Sequence, residues 1–308
     1  MFSKAATILI ASSLTFANPI ERPTRVNVAK RAASAYPYGD ALTNEFQWEN
    51  WDPKNDDDKA DGQKIHEGFK QWADLAKAGL AAANGGSSND HFKRWFGSPD
   101  ADDTTAIQNT FKNMYDDAAG TANTAISKMV LDRKDFGNNC DTKGWYAYTT
   151  PDTGRFHICP KTLDLKQQDD TTCADFDQAV YIYYPSARTI SFVMLHEMTH
   201  FDDVADDRLG AIEDPAVGPR ACFNLDDDDK QVNANNYAFE AAEQYWADKC
   251  PTKTFQDPPP LVSSTSTSTA VSDPSESQVI DGPGGSASTP LPSETETILP
   301  SATSTATA

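Results

Sequence analysis

Apolar positions recur three and four residues apart along two stretches of the chain. Ile65, Phe69, Trp72, Ala76 and Leu80 fall on one helical face, behind an acidic first turn at Asp56, Asp57 and Asp58 that suits the positive end of a helix dipole. Asn84-Gly85-Gly86 supplies the stop. A second stripe, Ile107, Phe111, Met114, Ala118, Ala122, Ala125 and Met129, predicts a helix over residues 102–132. Beyond it the period becomes two. Residues 144–150 and 155–160 predict paired strands around Pro151-Asp152-Thr153-Gly154, whose proline and glycine form turns readily. Residues 181–184 read as another strand, halted by Pro185, with Ser186 as cap for the helix that follows. A last helix is expected over 231–249, with Tyr237, Ala241 and Tyr245 four apart. Residues 32–55 carry Tyr36, Tyr38, Phe46, Trp48 and Trp51 without a period and read as an irregular arm packed on the domain. The expected class is α+β: mostly helical, with a small antiparallel sheet or hairpin beside the helix near residue 196.

Composition divides the chain into four parts. Residues 1–17 have a basic start at Lys4, an apolar core and a small-residue end at Ala17, as a secretory signal does. Residues 18–31 form a polar leader closing on Lys30-Arg31, a dibasic pair that predicts removal of a propeptide and a latent precursor. Residues 32–256 are ample for one domain with a sizeable core. Residues 257–308 are rich in Ser, Thr and Pro and too poor in apolar groups to fold. The net charge of −20 argues against nucleic acid as a partner, and the early apolar segment is too short for a membrane span. The expected location is extracellular. There the five cysteines, Cys140, Cys159, Cys173, Cys222 and Cys250, read as disulfides with one thiol left over. Cys140 and Cys159 flank the hairpin and can clip it. Cys250 can pair with Cys173 or Cys222.

The chemistry concentrates in Leu195-His196-Glu197-Met198-Thr199-His200. Helical residues four apart share a face, so His196 and His200 can aim at one ion. Glu197, one position on, can act on a water held there instead of on the ion itself. The duller possibility is a buried helix with hydrogen-bonded histidines. A tetrahedral zinc site needs one more protein ligand, and Asp202, Asp203, Asp206, Asp207, Glu213 and Asp214 follow. The first two sit too near the helix to swing back, whereas Gly210 lets the chain turn toward Glu213 or Asp214. His66, His91 and His157 lack partners at ligand spacing and read as structural, and the acidic run 226–229 reads as a solvated helix start.

These residues resemble the fungal aspzincins, the deuterolysin and peptidyl-Lys metallo-endopeptidase family, in which HExxH is followed by a GTxDxxYG loop whose Asp completes the site. Residues 211–218 fit that loop, with Asp214 at the ligand position and Gly218 retained. Trp95-Phe96-Gly97, Tyr146-Ala147-Tyr148, Ile158-Cys159-Pro160 and Asn233-Ala234-Asn235-Asn236-Tyr237 agree in order along residues 65–246. The resemblance implies a zincin-like fold, one Zn²⁺ on His196, His200 and Asp214, Glu197 as general base and then acid, and a protein or peptide substrate. It departs from the family at Ala211-Ile212 for Gly-Thr, at Val217 for the loop Tyr, and at Asn235 for an Asp. The gap between His200 and the loop is also longer. Val217 removes a phenol thought to stabilise the tetrahedral intermediate, for which Tyr183 or Tyr184 could substitute. Asn235 removes support for lysine preference. Two functions therefore compete: a secreted zinc metallo-endopeptidase, and a catalytically weak secreted zinc binder (a scavenger or surface antigen) on the same fold. The intact Glu197 favours the first. The chain does not indicate an oligomeric state.

Overall fold

The computed structural model describes residues 46–52, 54–119, 126–176, 182 and 187–258. The first stripe forms helix α1, Asp56–Gly85. Asn55 accepts from the N–H groups of Asp57 and Asp58 at 2.9 and 3.2 Å, meeting two of the donors a helix start leaves open. Gly86 ends the helix with φ 52°, a conformation that side chains disfavour. Ile65, Phe69, Trp72 and Ala76 are buried as their spacing requires. Two helices follow, α2 (Asp90–Phe96) and α3 (Ala101–Ala118).

The second stripe does not remain helical to residue 132. After Ala118 the described chain resumes with a 3₁₀ turn, Ile126–Lys128, and then strand β2, Val130–Asp132. Met129-Val130-Leu131 is a short apolar run, and periodicity alone cannot tell a buried strand from a buried helical turn. The expected hairpin is present as β3 (Ala147–Thr150) and β4 (Arg155–Ile158), antiparallel, with Gly154 in the left-handed region at φ 63°. The arm expected to be irregular contributes β1, Gln47–Glu49. The sheet order is β1-β2-β4-β3. Both β1–β2 and β2–β4 pair in parallel, so the sheet is mixed, with β3 at one edge.

A short helix α4 (Asn139–Lys143) precedes the hairpin, and Cys140–Cys159 clips it as anticipated. The HExxH segment is α5, Ile190–Thr199. Its cap is Thr189, whose side chain accepts from Phe192 N–H at 3.3 Å, and not Ser186; residues 181 and 183–186 lie outside the described residues. Three helices close the chain: α6 (Pro219–Phe223), α7 (Asp227–Gln231) and α8 (Ala234–Lys249). The expected last helix is thus present as α8 but begins at Ala234, because Gln231 ends α7. Tyr237 and Tyr245 are buried, with Tyr237 against Phe96 and Phe111 and its hydroxyl donating to Gln231 O at 2.8 Å. Cys250 pairs with Cys173, leaving Cys222 as a buried thiol.

Helices α1, α5 and α8 pack together, and this triple contact positions the site. A Cβ on Gly68 would lie 2.3 Å from Ile190 Cγ2, so the glycine lets α1 lie against the start of α5. Helix α2 is tied to α8 through Glu243, which accepts from Trp95 Nε1 at 3.1 Å and from His91 Nδ1 at 2.5 Å and also holds the Arg94 guanidinium. Arg94 in turn donates to Asp257 at 2.7 Å. One turn before Glu243 lies Glu240, fully buried, with neither carboxyl oxygen hydrogen-bonded among the described residues. Burial first, and then the Glu243 charge, raise its pKa well above the ordinary 4.5.

A carboxyl neutral in the folded chain and ionised in the unfolded one destabilises the fold above the unfolded pKa. Its full stability is present below about pH 4.5 and declines as pH rises, by up to about 1.4 kcal/mol per pH unit. Glu240→Gln is therefore expected to raise the urea midpoint at about pH 8 and to flatten its decline from about pH 5. Denaturant melts of both proteins across that range check this.

Candidate metal centre

Every residue of α5 is buried, so its ionisable side chains, His196 and Glu197, depend on partners within the protein. The rings of His196 and His200 stand 5.1 Å apart, one turn along the helix. Ligand-capable atoms of His196, Glu197 and His200 lie within 4.8 Å of one another. From the loop after α5, Asp214 reaches both histidines. Its Oδ1 lies 3.5 Å from His196 Nε2, and its Oδ2 lies 3.2 Å from His200 Nε2. Glu197 is farther away, with Oε1 at 3.9 Å from His196 Nε2, and its other oxygen accepts from Thr149 Oγ1 at 2.7 Å. Asp214 is therefore the carboxylate nearest to both imidazoles.

The loop that delivers Asp214 is pinned by backbone pairing. Glu213 N–H donates to Val232 O at 2.8 Å, and Ala234 N–H donates to Glu213 O at 2.9 Å, joining the loop to the start of α8. Gly210 and Gly218 bracket it at φ 76° and 85°. Asn235, on the first turn of α8, donates to Ala216 O at 3.3 Å and approaches Asp214 Oδ1 at 3.5 Å. His200 Nδ1 donates to Ile212 O at 2.8 Å, which turns Nε2 toward Asp214. The other acidic candidates go elsewhere. Asp203 pairs with Lys128, Asp206 accepts from Asn109, and Asp202 and Asp207 are exposed. The side chain of Glu213 feels both His200 and Asp214 but is raised in pKa, by burial first.

Both ring nitrogens of His196, Nε2 of His200 and Oδ2 of Asp214 are buried and make no hydrogen bond of acceptable geometry among the described residues. Two imidazole Nε2 atoms, each within 3.5 Å of one carboxylate, form the donor set a catalytic zinc takes. The residues fit the ion.

Electrostatics inside the cluster follow from burial and proximity. Burial pulls His196 down to about 4, against the attraction of Asp214 and helped by the neighbouring His200. Burial pulls on His200 too, but the nearby Asp214 carboxylate, then Glu197 and the Ile212 carbonyl, outweigh it and raise it to about 9. Asp214 is held below its usual range despite burial because both histidines face it.

The profile of the aspzincin family, described as lysine-specific metallo-endopeptidase, matches residues 81–242. The chain belongs to the aspzincin family. Members are zinc-dependent metallo-endopeptidases acting on peptide substrates. A solved zinc peptidase from Grifola frondosa is similar at 18% sequence identity, over 56% of this chain and 94% of that one, with a TM-score of 0.35. Comparison with curated proteins gives no match. Among the described residues of this aspzincin, no helix is long and apolar enough to cross a membrane.

Sequence reasoning named all four acidic and imidazole members of the cluster and missed Thr149. The signal for it was available: a polar residue on the inward face of a period-two strand. Val217 brings no donor to the loop, and Tyr183 and Tyr184 lie outside the described residues.

In metal-free protein, His200 is expected to keep its second proton to about pH 9 while His196 stays neutral above about pH 4. Asp214→Asn removes the charge that raises His200, so burial should bring it down toward or below the ordinary 6.5. Imidazole NMR titration reads both.

Proposed function

We propose that this aspzincin is a secreted zinc metallo-endopeptidase in which His196, His200 and Asp214 hold a single zinc ion and Glu197 moves the proton. The observation that carries this reading is the convergence of buried, unsatisfied Nε2 and Oδ2 atoms beside an intact Glu197. When bound, zinc would polarise the scissile carbonyl and make a water more acidic. Glu197 takes a proton from that water as the water oxygen bonds to the carbonyl carbon. As the C–N bond breaks, Glu197 gives the proton to the departing amine nitrogen. The strand β3, at the sheet edge beside α5, is suited to pairing with an extended peptide through its main chain.

Secretion is supported by the signal-like residues 1–17 and by the two disulfides, which persist in oxidising compartments. The Cys173–Cys250 link closes a separation of 77 residues, worth about 4.5 kcal/mol in the loop-entropy account. The dibasic Lys30-Arg31 supports a latent precursor. Lysine preference is not part of the proposal, because Asn235 lacks a charge. A second reading, a zinc-binding surface protein with weak catalysis, is favoured by one observation: Val217 offers no donor where the family has a phenol.

Purified mature protein should cleave a denatured protein substrate and lose that activity to a zinc chelator. Glu197→Ala should lose roughly 10²–10⁴-fold in rate while still binding zinc. Tight zinc binding without cleavage by the wild type supports the second reading instead. Asp214→Ala should weaken zinc by roughly 100-fold or more, read by competition with a chromogenic chelator. Mass spectrometry of the exported product should find its first residue at Ala32.

A further inference from the structure

Thr149 lies on β3, in register with Phe156 of β4. Side chains alternate along a strand, and the two faces of β3 differ sharply. Tyr148 turns to the face away from α5, where it is also buried, stacks on His157 with centroids 4.4 Å apart, and donates to Asp135 at 2.9 Å. Thr150 turns the same way and meets Thr153 at 2.8 Å. Thr149 alone among these hydroxyls points at α5, and it is 1% exposed. Its Oγ1 lies 2.7 Å from Glu197 Oε2 and 3.3 Å from Glu197 O. A hydroxyl has one proton. The shorter, charge-assisted bond to the carboxylate takes it.

The consequence concerns geometry. A glutamate carboxyl rotates freely about its last torsion unless something holds it. The β-branched side chain of Thr149 has few rotamers, and its strand is fixed by the hairpin and by Cys140–Cys159. The donor is therefore rigid. With Oε2 engaged, Oε1 is the oxygen turned toward the histidines, 3.9 Å from His196 Nε2. That orientation is what a proton acceptor beside the His196–His200–Asp214 cluster needs. We propose that Thr149 is a positioning residue that pins Glu197 Oε2, so that Oε1 faces the reacting water. This inference rests on the metallo-endopeptidase reading above.

The test uses the full mature chain, loaded with zinc, as wild type, Thr149→Val and Thr149→Ser. Valine keeps the shape and β-branching and removes the hydroxyl; serine keeps the hydroxyl and removes the methyl. Expected for Thr149→Val is a roughly 10–100-fold fall in kcat with KM within about twofold and unchanged zinc content. Thr149→Ser should recover most of kcat. A double-mutant cycle with Glu197→Ala, read by denaturant unfolding, should be non-additive. Thr149→Val as active as wild type, equal losses in both variants, or an additive cycle would each overturn the role of Thr149. An inactive wild type overturns the metallo-endopeptidase reading itself, and the inference with it.

Discussion

Burying an imidazole pair and two carboxylates in an apolar core is unfavourable unless each polar atom meets a partner, and that demand organises this fold. Helix α5 is buried along its whole length, so its ionisable side chains depend on partners within the protein. Partners come from three directions. The sheet contributes Thr149 to Glu197, the loop after α5 contributes the Ile212 carbonyl to His200 and the Asp214 carboxylate to both histidines, and α8 contributes Asn235. His196 Nε2, His200 Nε2 and the Asp214 carboxylate are left facing one another at 3.2–3.5 Å.

The scaffold makes that concentration possible by fixing elements remote in sequence. Gly68 brings α1 against the start of α5, and Glu243 gathers His91, Arg94 and Trp95 so that α2 locks onto α8. The backbone bridge at Glu213 then ties the Asp214 loop to the same helix. A carboxylate fourteen positions beyond His200 is therefore as well anchored as one on the helix itself. This explains how the loop tolerates Ala211 and Ile212 where the family has Gly-Thr: the pairing is made by main chain, while Gly210 and Gly218 supply the unusual backbone angles.

How much of this could be read beforehand depended on the kind of information each element carries. Helix α1, the hairpin and the Cys140–Cys159 clip were legible because period, cap and turn signals agreed over many residues. His196, Glu197 and His200 were legible because helical spacing is itself geometry. Asp214 was singled out through the family's loop pattern; the chain alone left Glu213 open. Strands β1 and β2 were not legible. Three residues hold too little alternation to register, and their parallel partners lie far away in sequence. Thr149 went unseen because its importance depends on a tertiary neighbour, as did the choice of Cys173 over Cys222.

The first strand has a kinetic implication. Gln47 finds its neighbour Val130 about eighty residues later, and a ladder between segments so distant must wait until the intervening helices have condensed. The outer rung of the sheet is thus a late acquisition during folding. Until it arrives, β2 presents an open flank to which another chain can pair.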